Sequence, residues 1–170
     1  MRIAGSGREV AVWGRRRQWV PLLSTLGASL LQALPVIVTT PVVPDFAFLV
    51  VLSWRLLRPE LWPAYYGLGL GLFNDLVGGH PLGQSMALWT ATFLACEMLD
   101  SRSGWRDYWL DWLSASLLIV LYTAGEWRIA GWVGSRIPFE AVLPQLVLAI
   151  FCYPLVARLV VSFDRWRLSR

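Results

Sequence analysis

The chain has one histidine, two cysteines and no lysine among its 170 residues. Each shortage removes a class of function. His80 has no second histidine to join, which excludes a histidine-based metal centre. Cys96 and Cys152 both sit inside apolar runs and read as small buried hydrophobes, neither a disulfide framework nor a metal pair. All fifteen basic residues are arginine; the missing lysine has genome composition as its only explanation and carries no functional weight. Charge is scarce as well, at 15% of residues against roughly 25% in a soluble domain. A formal charge of +4 does not point to nucleic acid, because the arginines lie between apolar runs and not on one surface.

What is present is apolar. Hydrophobic residues make up 56% of the chain, more than a domain of this size can hide from water. Eleven tryptophans include several at the edges of apolar runs, where membrane-interface aromatics belong. The composition therefore predicts an all-α integral membrane protein. Arg15, Arg16 and Arg17 before an apolar stretch imitate a signal peptide, but the stretch is of spanning length and ends "VTTPVVP" without a small-x-small cleavage pattern. It reads as an uncleaved first span.

Segments near the ~20 residues needed to cross a bilayer follow in order. They cover about 19–39, 45–57, 62–78, 82–99, 109–131 and 142–162, the second being short. With the N-terminus in the cytoplasm, thirteen of the fifteen arginines fall on that side, leaving Arg128 and Arg136 outside. That bias requires an even number of spans and places both termini in the cytoplasm of a multi-pass inner-membrane protein. The expected layout is a basic segment 1–18, a bundle 19–162 and a basic tail 163–170. Loops are short, the longest candidate being "EWRIAGWVGSRIPFEA", and no internal repeat argues for an inverted-repeat transporter.

One stretch concentrates the unusual residues: "YGLGLGLFNDLVGGHPLG", from Tyr66 to Gly83. Gly67, Gly69 and Gly71 lack the first, third and sixth spacing of a dinucleotide turn and lie in a membrane-length run. On a helix they form a flat strip that lets another helix approach closely. Three roles are open to Asp75. It can accept backbone N–H groups of "GGHPLG" and cap the fourth helix, with Gly79, His80, Pro81 and Gly83 in the same outer turn. It can pair with Arg128 near the same boundary, or it can serve transport of an ion or proton. Glu97 is expected to reach Arg102 or Arg106, and Glu126 to lie beside Arg128. No carboxylate pair suits acid–base chemistry, and Ser85 lacks a nucleophile elbow, so an enzyme is not expected and no cofactor or metal is implied. Arg15, Arg16 and Arg17, with Arg165 and Arg167 of the tail, are expected to touch anionic lipid or a cytoplasmic partner.

The run from Pro44 to about Leu99 resembles the MreD family of bacterial rod shape-determining membrane proteins. The resembling residues are "PDFAFLVVLSWRLL" and "YYGLGLGLFNDLVGGHPLGQSMALWTATFLACEML". A glycine-rich third span leads to an aspartate and then Gly-x-Pro-Leu-Gly, here Gly67, Gly71, Asp75, Gly79, Pro81, Leu82 and Gly83. The resemblance covers about a third of the chain; the last two spans agree only in hydropathy. It implies a non-enzymatic scaffold of the cell-elongation machinery that positions peptidoglycan synthesis. An MreC-like protein, MreB and the RodA/transpeptidase pair are its implied partners. It also implies an S-component-like bundle, which keeps open a small-molecule-binding subunit of a vitamin transporter. The arginine-rich N-terminus, Met1 to Gln18, is longer than the family pattern needs.

Overall fold

The computed structural model describes residues 7–32, 43–100, 108–134 and 138–168, with side chains described for these except 7–18, 32, 100 and 108. Six α-helices follow one another: α1 (Gly7–Gln32), α2 (Phe46–Leu57), α3 (Tyr66–Gly78), α4 (Gln84–Asp100), α5 (Tyr108–Trp132) and α6 (Leu143–Leu168). No strand occurs among the described residues. The backbone of Arg15, Arg16 and Arg17 belongs to α1, which runs unbroken from Gly7 into the first apolar segment. Their side chains lie outside those described.

The shortest helix occupies the centre. Twelve residues give α2 about 18 Å of length, and it packs against α1, α4, α5 and α6. Its sequence FAFLVVLSWRLL is apolar all round, which is the pattern of a helix covered on every side. Phe48, Leu49, Val51, Leu52 and Trp54 are fully buried. Ser53 and Trp54 have their polar atoms met locally or across the bundle. Ser53 Oγ donates to the Leu49 carbonyl at 2.7 Å, and the Trp54 indole N–H donates to Ser24 Oγ of α1 at 2.9 Å.

The other helices carry large apolar side chains on their outer faces. Leu68, Leu72 and Leu76 line α3, Leu113, Leu117 and Leu121 line α5, and Phe151, Leu155 and Leu159 line α6. Spacings of four residues put each set on one stripe. Such stripes suit a hydrocarbon surround better than water. Six spans are expected from the sequence, yet among the described residues one helical stretch, Phe139–Leu168, is long and apolar enough by itself to cross a membrane. The reason is local. The helices α2 and α3 are short, and α5 mixes its apolar residues with Asp111, Glu126 and Arg128.

Charged residues clamp one end of the bundle. Asp164 of α6 is buried and accepts from Arg58, just past α2, at 2.9 Å, and from Arg167 one turn along. Arg167 is not a lipid contact: its side chain is 2% exposed and its guanidinium lies 5.4 Å from the Trp54 ring centre. Three residues separate it from Asp164 on the same helix face, so the pair folds inward. Arg165 remains exposed. Nearby, Glu97 of α4 lies 3.9 Å from Arg55 and accepts the Ala64 N–H at 3.2 Å. Arg102 and Arg106, its expected partners, fall outside the described residues.

Removing Asp164 strands a buried guanidinium. Asp164→Ala is expected to cost about 3–5 kcal/mol, read as a fall in thermal unfolding temperature of the detergent-solubilised protein. Glu60, exposed and 3.9 Å from Arg58, is the control; Glu60→Ala should change stability by under about 0.5 kcal/mol.

Candidate functional site

The glycine-rich stretch forms most of α3 and the turn into α4. A Cβ on Gly71 would fall 2.6 Å from the backbone of Met86, and one on Gly67 would fall 2.9 Å from the backbone of Thr90. These two glycines, one turn apart, are where the α3 backbone touches the α4 backbone. Gly69 is different: it is exposed, and a Cβ there meets nothing within 4 Å. The strip is therefore a Gly67–Gly71 seam, with Gly69 on the opposite side of the helix.

The turn needs its other glycines for backbone conformation. Gly79 ends α3 at φ 68° and Gly83 precedes α4 at φ 96°, both left-handed values that a side chain disfavours. The Gln84 N–H, just past Gly83, donates to the Pro81 carbonyl at 3.0 Å, closing the turn. Asp75, 1% exposed, reaches from the last turn of α3 to the start of α4. Its Oδ1 accepts the Ser85 N–H at 2.8 Å, and its Oδ2 accepts the Gly83 N–H at 2.9 Å and the Met86 N–H at 3.5 Å. Those N–H groups have no partner within α4, and the helix N-terminus carries partial positive charge. Asn74 adds a bond to the same place, its Nδ2 donating to Ser85 Oγ at 3.1 Å.

Arg128 takes no part in this set. It is exposed, and its guanidinium lies 6.0 Å from the Trp132 ring centre. Of the roles open to Asp75, the geometry realises the bonds to the turn's backbone, and the pair with Arg128 is not formed.

A second polar group sits at the same end and was missed by sequence reasoning. Asp45 caps α2, accepting the Phe48 N–H at 2.9 Å on one oxygen and the Tyr122 hydroxyl at 2.6 Å on the other. Phe48 stacks on the Tyr122 ring with centroids 3.7 Å apart. Trp89 and Glu126 lie against Tyr122, and Gln84 lies against Glu126. Asp45 did carry a signal: "PD" before an apolar run is a helix start. Tyr122 carried none, being one aromatic in a long apolar segment.

The arrangement is a set of helix starts held by acids. Among the described residues no three His, Cys, Asp or Glu side chains gather as metal ligands. Chemically, the carboxylates and amides here fix two helix N-termini and one interhelical turn.

Residues 14–163 match the family model for the rod shape-determining protein MreD. The chain belongs to the MreD family. The match takes in α5 and α6, where the sequence agreed only in hydropathy, and reaches back into the arginine-rich part of α1. No curated protein and no solved structure matches the chain. The family is one of membrane proteins involved in rod-shape determination.

The seam and the cap of this MreD-family chain can be perturbed separately. Gly71→Ala forces a Cβ against backbone and is expected to destabilise by about 1–3 kcal/mol, while Gly69→Ala should be neutral or slightly stabilising. Unfolding midpoints in detergent compare the two. Tyr122→Phe leaves Asp45 without its phenol donor and should cost about 1–3 kcal/mol by the same measurement.

Proposed function

We propose that this MreD-family chain is a non-enzymatic scaffold of the cell-elongation machinery, embedded in the bacterial inner membrane through all six helices. Both termini face the cytoplasm, with the α3–α4 turn on the outer side. The observation that carries the reading is the family match over residues 14–163, on a bundle whose apolar stripes face outward. The Gly67–Gly71 seam and the Asp75 cap make α3 and α4 one rigid hairpin. Partner helices pack on the stripes that remain, in the way membrane helices associate through close packing.

The partners are an MreC-like protein, MreB and the RodA/transpeptidase synthase pair, which the family resemblance implies. The chain positions peptidoglycan synthesis through these contacts and performs no chemistry itself. A small-molecule-binding, S-component-like subunit is not supported. The outer acids Asp45 and Asp75 are engaged with helix starts and with Tyr122.

Tagged protein purified from native membranes is expected to bring down the MreC-like protein or the synthase. Recovery of transporter ATPase subunits in their place would overturn the scaffold. Asp75→Ala, by loosening the hairpin, should lower both protein level and partner recovery; an unchanged level with unchanged recovery would sink the part assigned to the hairpin.

A further inference from the structure

A groove of about 430 Å³ opens between α2, α5 and α6 at the arginine-rich end of the bundle. That volume lies within the range of about 300–1,000 Å³ seen for ligand sites. Its walls are apolar, formed by Leu56 and Leu57 of α2, Trp112 of α5, and Ala157 and Val161 of α6. Arg158 and Arg165 also line it, seven residues apart and so on one face of α6. Both are exposed, and neither has an ion pair or hydrogen bond among the described residues. The acid in the lining is Asp111, so two guanidiniums face one carboxylate.

The contrast with their neighbours is informative. Arg58 and Arg167 are paired with Asp164, and Arg55 lies near Glu97. Arg158 and Arg165 of the groove have no such acid among the described residues. Unpaired guanidiniums above an apolar slot are complementary to a molecule with an anionic head and a hydrocarbon tail. The surroundings are those of a bilayer: Leu155 and Leu159 are exposed beside the groove, and Trp166, 68% exposed, stands next to Arg165 where an interfacial aromatic belongs.

The geometry points to a binding site for one anionic phospholipid of the cytoplasmic leaflet. The phosphate is held by Arg158 and Arg165, and an acyl chain lies against Trp112, Ala157 and Val161. Guanidinium suits this task because its planar fork matches phosphate oxygens in pairs. The site rests on the membrane orientation given under Proposed function, and it assigns Arg158 and Arg165 a defined ligand rather than a diffuse attraction to the surface.

The test uses the full-length protein in detergent, titrated with phosphatidylglycerol and read by native mass spectrometry. The wild type is expected to hold one phosphatidylglycerol, with phosphatidylcholine binding at least about tenfold more weakly. Inorganic phosphate in excess should not displace the lipid, since it lacks the tail. The double variant Arg158→Gln/Arg165→Gln should lose at least about tenfold in affinity, and Arg128→Gln should lose none. If the double variant does not fold, Ala157→Trp fills the groove with both arginines in place and should abolish the adduct. Equal affinity of wild type and variants, or equal binding of the two lipids, would each overturn the proposal. Lipid titration of the isolated protein reads the groove alone, and partner recovery from membranes reads the scaffold, so either can fail without the other.

Discussion

The buried carboxylates that this chain carries into an apolar bundle are answered inside the bundle. The carboxylate of Asp75 is the clearest instance. It is buried, and it meets the free N–H groups at the start of α4 with three bonds. Buried in the bundle, those N–H groups have no water to turn to, and the carboxylate by itself would be costly. Together they cancel. The hairpin geometry follows from the cancellation, since Asp75 meets Ser85 only when α3 and α4 lie as close as Gly67 and Gly71 permit. The glycines and the aspartate are parts of one device.

The same rule organises the rest. Asp45 answers the N-terminus of α2 and the hydroxyl of Tyr122. Asp164 answers Arg58 and Arg167 at the opposite end. The central helix is thus held by charges at both ends and by apolar packing between them. Exposed arginines are the exceptions, and a guanidinium without an acid in a membrane protein is a functional question by default. Arg128 partly answers it with Trp132; Arg158 and Arg165 do not.

Helix number and order were legible in the sequence because apolar runs alternate with short breaks rich in proline, glycine and charge, a strong local signal. The boundaries of α4, α5 and α6 lie close to those expected, though α6 continues to Leu168 where the expectation stopped at 162. Its last turn was read as a free basic tail because a single aspartate among arginines does not announce itself as a buried partner. The backbone-capping role of Asp75 was legible for the opposite reason: glycine, proline and aspartate around one turn have few conformations open to them. Central burial of α2 was not legible as such. Its brevity looked like a weak span, when a helix surrounded by protein has no need of full bilayer length. Pairings such as Tyr122 with Asp45 were out of reach because nothing in an apolar run says which face of a helix meets which neighbour.

The distances along the chain between these partners carry a consequence for synthesis. Tyr122 is 77 residues beyond Asp45, and Asp164 is 106 residues beyond Arg58. At about 5–20 residues per second, the central helix leaves the ribosome several seconds before either partner exists. In that interval α4 is made before Tyr122 and α5 before Asp164, so the cover of α2 is completed only by α6, and until then its end charges are not both answered. The seam between α3 and α4 joins residues about twenty apart and is available early. The protein is therefore assembled hairpin first and locked last, and its final turn of helix is the latch. A chain stopped before Asp164 would have nearly all of its apolar mass and no means of closing around it.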